Sequence, residues 1–348
     1  MAVWQFVYGR RFAFAPPDYE SPGLGGSEGS LVVLTRALAR AGEQVTVYAN
    51  TSEPGEYDGV RWMPLPELVR APRPDVRVAV RYEESVLVAP GARNIFWMLD
   101  NQPANAAAFR PQAGASAPVV AASAAMVRLL RTVGVQDSVT IDHPVDLEEF
   151  SLAEPGVVRR PVCLFSSIPD RGLDVALAIW PHLRERVPNA ELHITSGYRL
   201  WGFARHEARE LESRFAHTPS EAAGVFVHGV VDRSALRTLQ RAARVVLYPC
   251  REEEMYCLAV AEAAAAGTPT VTTNAYALSE RVVDGVSGYL IDGSIDSPRV
   301  QAAFTRLTAD LLTDDDLWVK QSLAARDKAG EADSARVAKQ WRELALGR

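Results

Sequence analysis

Arg244-Val-Val-Leu-Tyr-Pro-Cys-Arg-Glu-Glu-Glu-Met-Tyr-Cys-Leu-Ala-Val-Ala-Glu-Ala-Ala-Ala-Ala-Gly-Thr-Pro-Thr-Val-Thr-Thr273 decides the fold. Its apolar start, Arg244 to Pro249, reads as a buried strand. An Ala-rich helix follows and ends at Gly267, Pro269 forbids continuation, and Thr270–Thr273 reads as the next strand. A strand–loop–helix–strand unit is the building block of a parallel sheet. In such sheets ligands sit beyond the carboxyl ends of the strands, where helix N-termini offer unpaired N–H groups to anions.

Two carboxylates mark this unit, Glu254 at the helix entrance and Glu262 inside it. Eight helical steps advance about 12 Å. On that reading the two acids share neither a metal nor a proton, but they can hold two ends of an elongated ligand whose anionic middle lies at the helix N-terminus. A nucleoside diphosphate sugar has that shape. The plain alternative is an amphipathic helix with a solvated carboxylate at each end.

Length and composition bound the rest. At 348 residues the chain has room for two domains; 48% hydrophobic and 23% charged residues are globular values. A net charge of −6 argues against nucleic acid as a partner. No run approaches a membrane span, so membrane association is not indicated. The start, Met1 to Tyr8, reads as a first strand and not as a secretion signal. Cys163, Cys250 and Cys257 are too far apart for a zinc pattern and suit a reducing cytoplasm.

The Glu254…Glu262-Ala263…Gly267-Thr268-Pro269-Thr270-Val271 pattern resembles the paired-Glu motif of retaining glycosyltransferases with the GT-B fold, the glycosyl transferases group 1. The resemblance implies an α/β chain of two Rossmann-like domains facing each other across a cleft. We place an N-terminal acceptor domain at 1–152, a donor domain at 153–325 with a linker near Ala153–Arg160, and a C-terminal helix, 326–348, packing back on the first domain. In the family the second Glu binds ribose and the first lies near the donor sugar, which the resemblance carries to Glu262 and Glu254. The N–H groups of Tyr256, Cys257 and Leu258 would meet sugar and phosphates. Met255-Tyr256-Cys257 replaces the usual Gly-Phe-Gly and adds bulk beside the sugar.

Other positions fall into the same frame. Gly25-Gly26-Ser27-Glu28 resembles the family's Gly-Gly-x-Glu turn near the donor phosphates, with Ser27 as helix cap; a plain Gly-rich turn is the alternative. Arg171, before Gly172, matches a Lys or Arg that reaches the diphosphate and would stabilise charge on the leaving group. A second Arg expected five residues earlier is Ser166 here. Gly229 and Val230 stand where backbone groups receive the nucleobase. Leu99 occupies the place of a family histidine, with Asp100 beside it as a candidate for orienting acceptor or sugar, or else as a loop or cap residue. His143 lies in a loop that could face the cleft, and Arg70, Arg73, Arg77 and Arg81 could form a basic patch. Asp314-Asp315-Asp316 resembles a metal-binding Asp-x-Asp, but at a helix start its charge suits capping.

The implied reaction is metal-independent, front-face transfer of a sugar from a nucleotide sugar to a small-molecule or glycan acceptor. The sequence does not identify the base, and family frequency favours UDP as the nucleotide. No cofactor is needed, and a homo-oligomer is left open. Two other readings stand: a GT-B accessory protein that binds a nucleotide sugar or a partner without turnover, supported by Leu99 and Ser166, and an epimerase.

Overall fold

The computed structural model describes residues 1–9, 12–81, 88–114, 117–150, 157–201, 205–213, 223–251 and 253–347. The chain forms two compact units. One comprises Met1–Tyr19, Gly26–Asp146 and Ala332–Arg348; the other comprises Glu20–Gly25 and Leu147–Glu331.

Among the described residues the first unit holds an eight-stranded sheet. Its strands are β1 (Val3–Tyr8), β2 (Gln44–Ala49), β3 (Gly55–Tyr57), β4 (Val60–Pro64), β5 (Val76–Val80), β6 (Arg93–Trp97), β7 (Val119–Ala121) and β8 (Ser138–Thr140). They lie in the order β3-β4-β2-β1-β5-β6-β7-β8, and only the β3–β4 pair is antiparallel. Helices α1 (Gly26–Arg40), α2 (Pro103–Ala113) and α3 (Ala124–Thr132) connect them. Ser123 caps α3 by accepting from Met126 N at 3.0 Å. Strands buried on both faces need continuous apolar runs, which explains Trp4, Phe6, Val7 and Tyr8 in β1. The C-terminal helix Ser334–Leu346 completes this unit: Trp341 is fully buried edge-on against Trp97, with centroids 5.2 Å apart.

The second unit has a six-stranded, wholly parallel sheet of β9 (Val162–Ser166), β10 (Glu191–Thr195), β11 (Val225–Val227), β12 (Val245–Tyr248), β13 (Thr270–Thr273) and β14 (Gly288–Ile291). The order is β11-β10-β9-β12-β13-β14, the doubly wound arrangement in which successive connections diverge between β9 and β12. Helices α4 (Leu173–Arg186), α5 (Arg205–Ser213), α6 (Arg233–Ala242), α7 (Leu258–Ala265), α8 (Leu278–Arg281), α9 (Pro298–Thr313) and α10 (Asp315–Ala329) surround it. At the divergence the two loops touch. Gly172 has φ +103°, and a Cβ there would stand 1.9 Å from the Pro249 carbonyl oxygen, so only glycine fits after Arg171.

Apart from the Glu20–Gly25 segment, which goes with the second unit, the handovers fall at 146/147 and 331/332, against the 152/153 and 325/326 read from sequence. The single turn Leu147–Phe150 belongs with the second unit because Arg237 holds Glu149 at 3.0 Å and Phe150 is fully buried. At the other end α10 runs on to Ala329, and the chain joins the first unit where Val145 N donates to Ala332 O at 2.8 Å. Part of the expected linker, 151–156, lies outside the described residues. Arg159 is no linker residue. It donates to Ala243 O and to Thr268 Oγ1, each at 2.6 Å, and its guanidinium lies over the Trp318 ring. Asp314 is the cap of α10, accepting from Leu317 N at 2.9 Å, and Asp315 pairs with Arg244 at 2.7 Å.

Candidate active site

In the second unit the divergence point gathers donors around one carboxylate. Glu254, 5% exposed, lies in the loop after β12, and α7 begins only at Leu258. The stretch from Glu254 to Cys257 is therefore not helical, which corrects the eight-step helical spacing to Glu262. Cys257 at the N-cap has φ +70°, a left-handed conformation costly for a side chain with a Cβ. That bend turns the Tyr256 and Cys257 N–H groups back onto Glu254 Oε1, at 3.5 and 3.1 Å. Oε2 accepts from Arg171 Nη1 and from the Tyr248 hydroxyl at 3.1 Å. Ser167 Oγ lies 3.4 Å from the same phenol oxygen.

Charge and burial act together on these groups. Burial, the largest single influence, lowers the Arg171 guanidinium, but the Glu254 carboxylate together with Tyr248 and Cys257 outweighs it and holds Arg171 above its ordinary value. Burial, reinforced by Cys257 and Glu254, raises the Tyr248 phenol well above its usual range. Burial and the Glu254 charge do the same to the Cys257 thiol, which argues against a nucleophilic role. Arg171 itself closes a single turn, Pro169–Arg171, two residues before α4 begins.

Glu262 sits in α7, 9% exposed. Its Oε1 accepts from Arg233 Nη1 at 2.8 Å and its Oε2 from Gln240 Nε2 at 3.3 Å. The charges then alternate outward: Arg233 stands 3.8 Å from Glu149, and Arg237 joins Glu149 at 3.0 Å to Glu20 at 2.8 Å. Arg241 donates to the Glu149 main-chain oxygen. The hydrogen bond to Glu20 and the Glu149 charge hold Arg237 above its ordinary value, against burial.

The remaining second-unit candidates are placed as follows. Ser166 ends β9 in register with Thr195. Gly229 follows β11 at φ +66° with open space where a Cβ would stand, and its carbonyl accepts from Ser196 N at 3.2 Å; Val230 is next in the chain. Met255, Tyr256 and Cys257 point inward, at 7%, 3% and 6% exposure, and Arg281 lies 4.4 Å over the Tyr256 ring centroid. Gly25 closes the Glu20–Gly25 segment, which Arg233 N anchors through Glu20 O at 2.9 Å. Of the aromatic loop after β10, Tyr198 is buried with its hydroxyl 2.6 Å from Asp170, while 202–204 lie outside the described residues.

The first unit has its own divergence point, between β1 and β5. Gly26 opens α1, so Ser27 is inside the helix and not its cap; its hydroxyl accepts from Arg81 Nη1 at 3.0 Å. Arg81, at φ +64°, also donates to Asp100 Oδ2 at 2.6 Å and stands 3.9 Å from Glu28. Glu28 is buried and accepts from the Tyr8 hydroxyl at 2.5 Å. Asp100 Oδ1 accepts from Gln102 N at 3.1 Å and does not cap α2. The four arginines have separate partners: Arg70 stands 3.9 Å from Glu67, Arg73 holds the Gly91 carbonyl at 2.7 Å, Arg77 holds Gln5, and Arg81 holds acids. His143 is buried, edge-on to Trp97 with centroids 6.0 Å apart, and Leu99 is buried too.

Sequence reasoning missed Tyr248, Arg233, Gln240 and Arg81 as partners of the acids. Among the described residues no group of three or more His, Cys, Asp or Glu could hold a metal ion, and no helix is long and apolar enough to cross a membrane.

These elements are similar to those of known proteins. The chain is 32% identical over 234 residues to the D-inositol 3-phosphate glycosyltransferase of Xylanimonas cellulosilytica, covering 60% of this chain and 53% of that protein. It is 30% identical over 178 residues to the GDP-mannose-dependent alpha-(1-6)-phosphatidylinositol monomannoside mannosyltransferase of Mycolicibacterium smegmatis, covering 48% and 41%. The chain thus spans about half the length, or less, of these curated relatives. The crystal structure of HepE from Anabaena in complex with UDP-glucose superposes with a TM-score of 0.73 at 16% identity, covering all of both chains, so the fold is GT-B with two Rossmann-like units. The model of the family described as glycosyl transferases group 1 matches residues 160–313, from β9 to the end of α9, and that part of the chain is similar to this family.

Proposed function

We propose that this protein transfers a sugar from a nucleoside diphosphate sugar to an acceptor hydroxyl with retention of configuration. The observation that carries the reading is the convergence of Arg171, the Tyr248 hydroxyl and the Tyr256 and Cys257 N–H groups on one carboxylate at the β9/β12 divergence. A set of donors that grips a carboxylate is also suited to a diphosphate.

In the reaction the bond from the sugar's anomeric carbon to the diphosphate oxygen breaks, and a bond to the acceptor oxygen forms on the same face. The acceptor proton passes to the departing phosphate oxygen. Arg171 and the N–H groups of Tyr256 to Leu258 meet the charge that develops on the leaving group, and Glu254 turns to the sugar hydroxyls. Glu262 holds the ribose, and Gly229 and Val230 face the base. Asp100, with Glu28 and Arg81, is assigned to the acceptor at the first unit's divergence point. Because fixed cations and amides neutralise the diphosphate, no divalent metal is required. Family frequency favours uridine; guanosine is the alternative, since the Mycolicibacterium relative is named for GDP-mannose.

Incubation with UDP- and GDP-sugars, followed by assay of diphosphate release and of the product's anomeric configuration, tests the reading. Release that persists in a metal chelator and a retained anomer are expected; release only with added divalent metal, or inversion, refutes the corresponding part. Buried Leu99 at the family histidine and Ser166 at the second cation favour one other reading, an accessory protein that binds donor without turnover. Nucleotide binding without release would establish it.

A further inference from the structure

We infer that Arg233 is a positioning residue for donor recognition: it orients the Glu262 carboxylate toward a ribose diol and so makes this protein discriminate ribonucleotides from 2′-deoxyribonucleotides. The inference rests on the reading of Glu262 as the ribose-binding group. It adds a residue from a different helix, which neither the paired-Glu pattern nor its spacing contains.

The geometry is specific. A carboxylate oxygen has two acceptor positions. Arg233 Nη1 fills one on Oε1 at 2.8 Å, and Gln240 Nε2 fills one on Oε2 at 3.3 Å. Each oxygen keeps one further acceptor position, and a vicinal diol carries two hydroxyl donors. Arg233 is itself held. It is the first residue of α6, only 11% exposed at its side chain, its main-chain N–H is on Glu20 O at 2.9 Å, and its other guanidinium nitrogen stands 3.8 Å from Glu149. Arg237 braces Glu149 from one turn further on, at 3.0 Å. A guanidinium buried between two carboxylates has few other orientations, so the plane of Glu262 is set before a ligand arrives.

The size of the effect follows from what a missing hydroxyl leaves behind. When a 2′-deoxy ligand binds, Glu262 retains Arg233 and Gln240, so no buried charge is orphaned. The loss is one hydrogen bond to a charged acceptor, about tenfold to a hundredfold in affinity.

The test is calorimetry of the full chain with UDP, GDP and their 2′-deoxy counterparts, on wild type, Arg233→Ala, Arg233→Lys and Glu262→Gln. Wild type is expected to favour the ribonucleotide by about tenfold or more. Arg233→Ala is expected to weaken the ribonucleotide about tenfold while changing the deoxynucleotide less than about threefold, so that the ratio collapses. Arg233→Lys, which keeps charge but not the fork, should fall between. Equal weakening of both ligands by Arg233→Ala would show a merely structural role and overturn the inference, as would a preserved or enlarged ratio. If Glu262→Gln removes discrimination and Arg233→Ala does not, only this inference fails. If wild type binds none of the four ligands, or binds ribo and deoxy forms equally, the reading of Glu262 fails with it.

Discussion

The Arg171–Glu254 pair supports a double-mutant cycle whose outcome can be worked from the contacts. The two side chains are 21% and 6% exposed. Removing one partner of a buried ion pair costs about 3–5 kcal/mol when the other charge is left uncompensated. Arg171→Ala leaves Glu254 with Tyr248 and two N–H groups, and those donors offset part of the loss, so about 2 kcal/mol is expected. Glu254→Ala leaves a guanidinium able to reach water, but it strips the acceptor from the phenol and from both amides, for about 2.5 kcal/mol. The double variant loses the charge conflict present in each single one and should cost about 3 kcal/mol rather than the sum, a coupling of about 1.5 kcal/mol. Hydrogen exchange of α4 and α7 amides is the assay, because two units need not unfold together. Additivity within about 0.5 kcal/mol would refute the claim that these groups form one buried unit. In turnover the same variants should each lose about a hundredfold or more in kcat, with the double variant no worse than additive.

Three shorter predictions follow from single positions. At Cys257, φ +70° inverts the usual order of small residues: Cys257→Gly should be more stable than Cys257→Ala by about 1 kcal/mol in chemical denaturation, and the reverse order would remove the argument from strain. The buried Tyr248 phenol has a raised pKa, so its stabilising proton is fully present below the ordinary tyrosine value of 10.0 and is lost only as pH climbs through the higher folded value. Absorbance titration of the native protein from about pH 9 to 11 should therefore be unchanged by Tyr248→Phe, and loss of one tyrosine's share of the signal would contradict this. Arg159→Ala should destabilise the second unit by about 3 kcal/mol, without rescue by Lys, because carbonyls, a hydroxyl and the Trp318 ring all depend on the planar fork; rescue by Lys would reduce Arg159 to a point charge.

Much of the α/β framework was legible because its causes are local. Apolar runs gave β12 and β13, Gly267 and Pro269 marked the end of α7, and Asp314 read as a cap that the structure places there. What the sequence concealed depends on partners far along the chain. Arg233 and Arg237 look like the solvated face of a polar helix, yet their acids come from Glu149 and Glu262, outside any window that periodicity can sample. Tyr248 reads as one more apolar strand residue, and its hydroxyl gains meaning only when the loop after β12 folds back over it. Arg159 fell in a Pro-, Gly- and Arg-rich stretch resembling a linker, while the groups it binds lie more than 80 residues away. The paired acids were found by pattern, but the non-helical stretch between Glu254 and Cys257 was not, because a left-handed cysteine has no sequence signature.

The central claim is that a diphosphate takes the place now held by the Glu254 carboxylate. A crystal structure with bound nucleoside diphosphate tests it most directly. The account predicts phosphate oxygens within hydrogen-bond reach of Arg171 and of the Tyr256–Leu258 N–H groups, ribose hydroxyls on Glu262, and the Glu254 carboxylate rotated off the amides. Nucleotide bound elsewhere in the second unit, with Glu254 still on Arg171 and the two N–H groups, would contradict it.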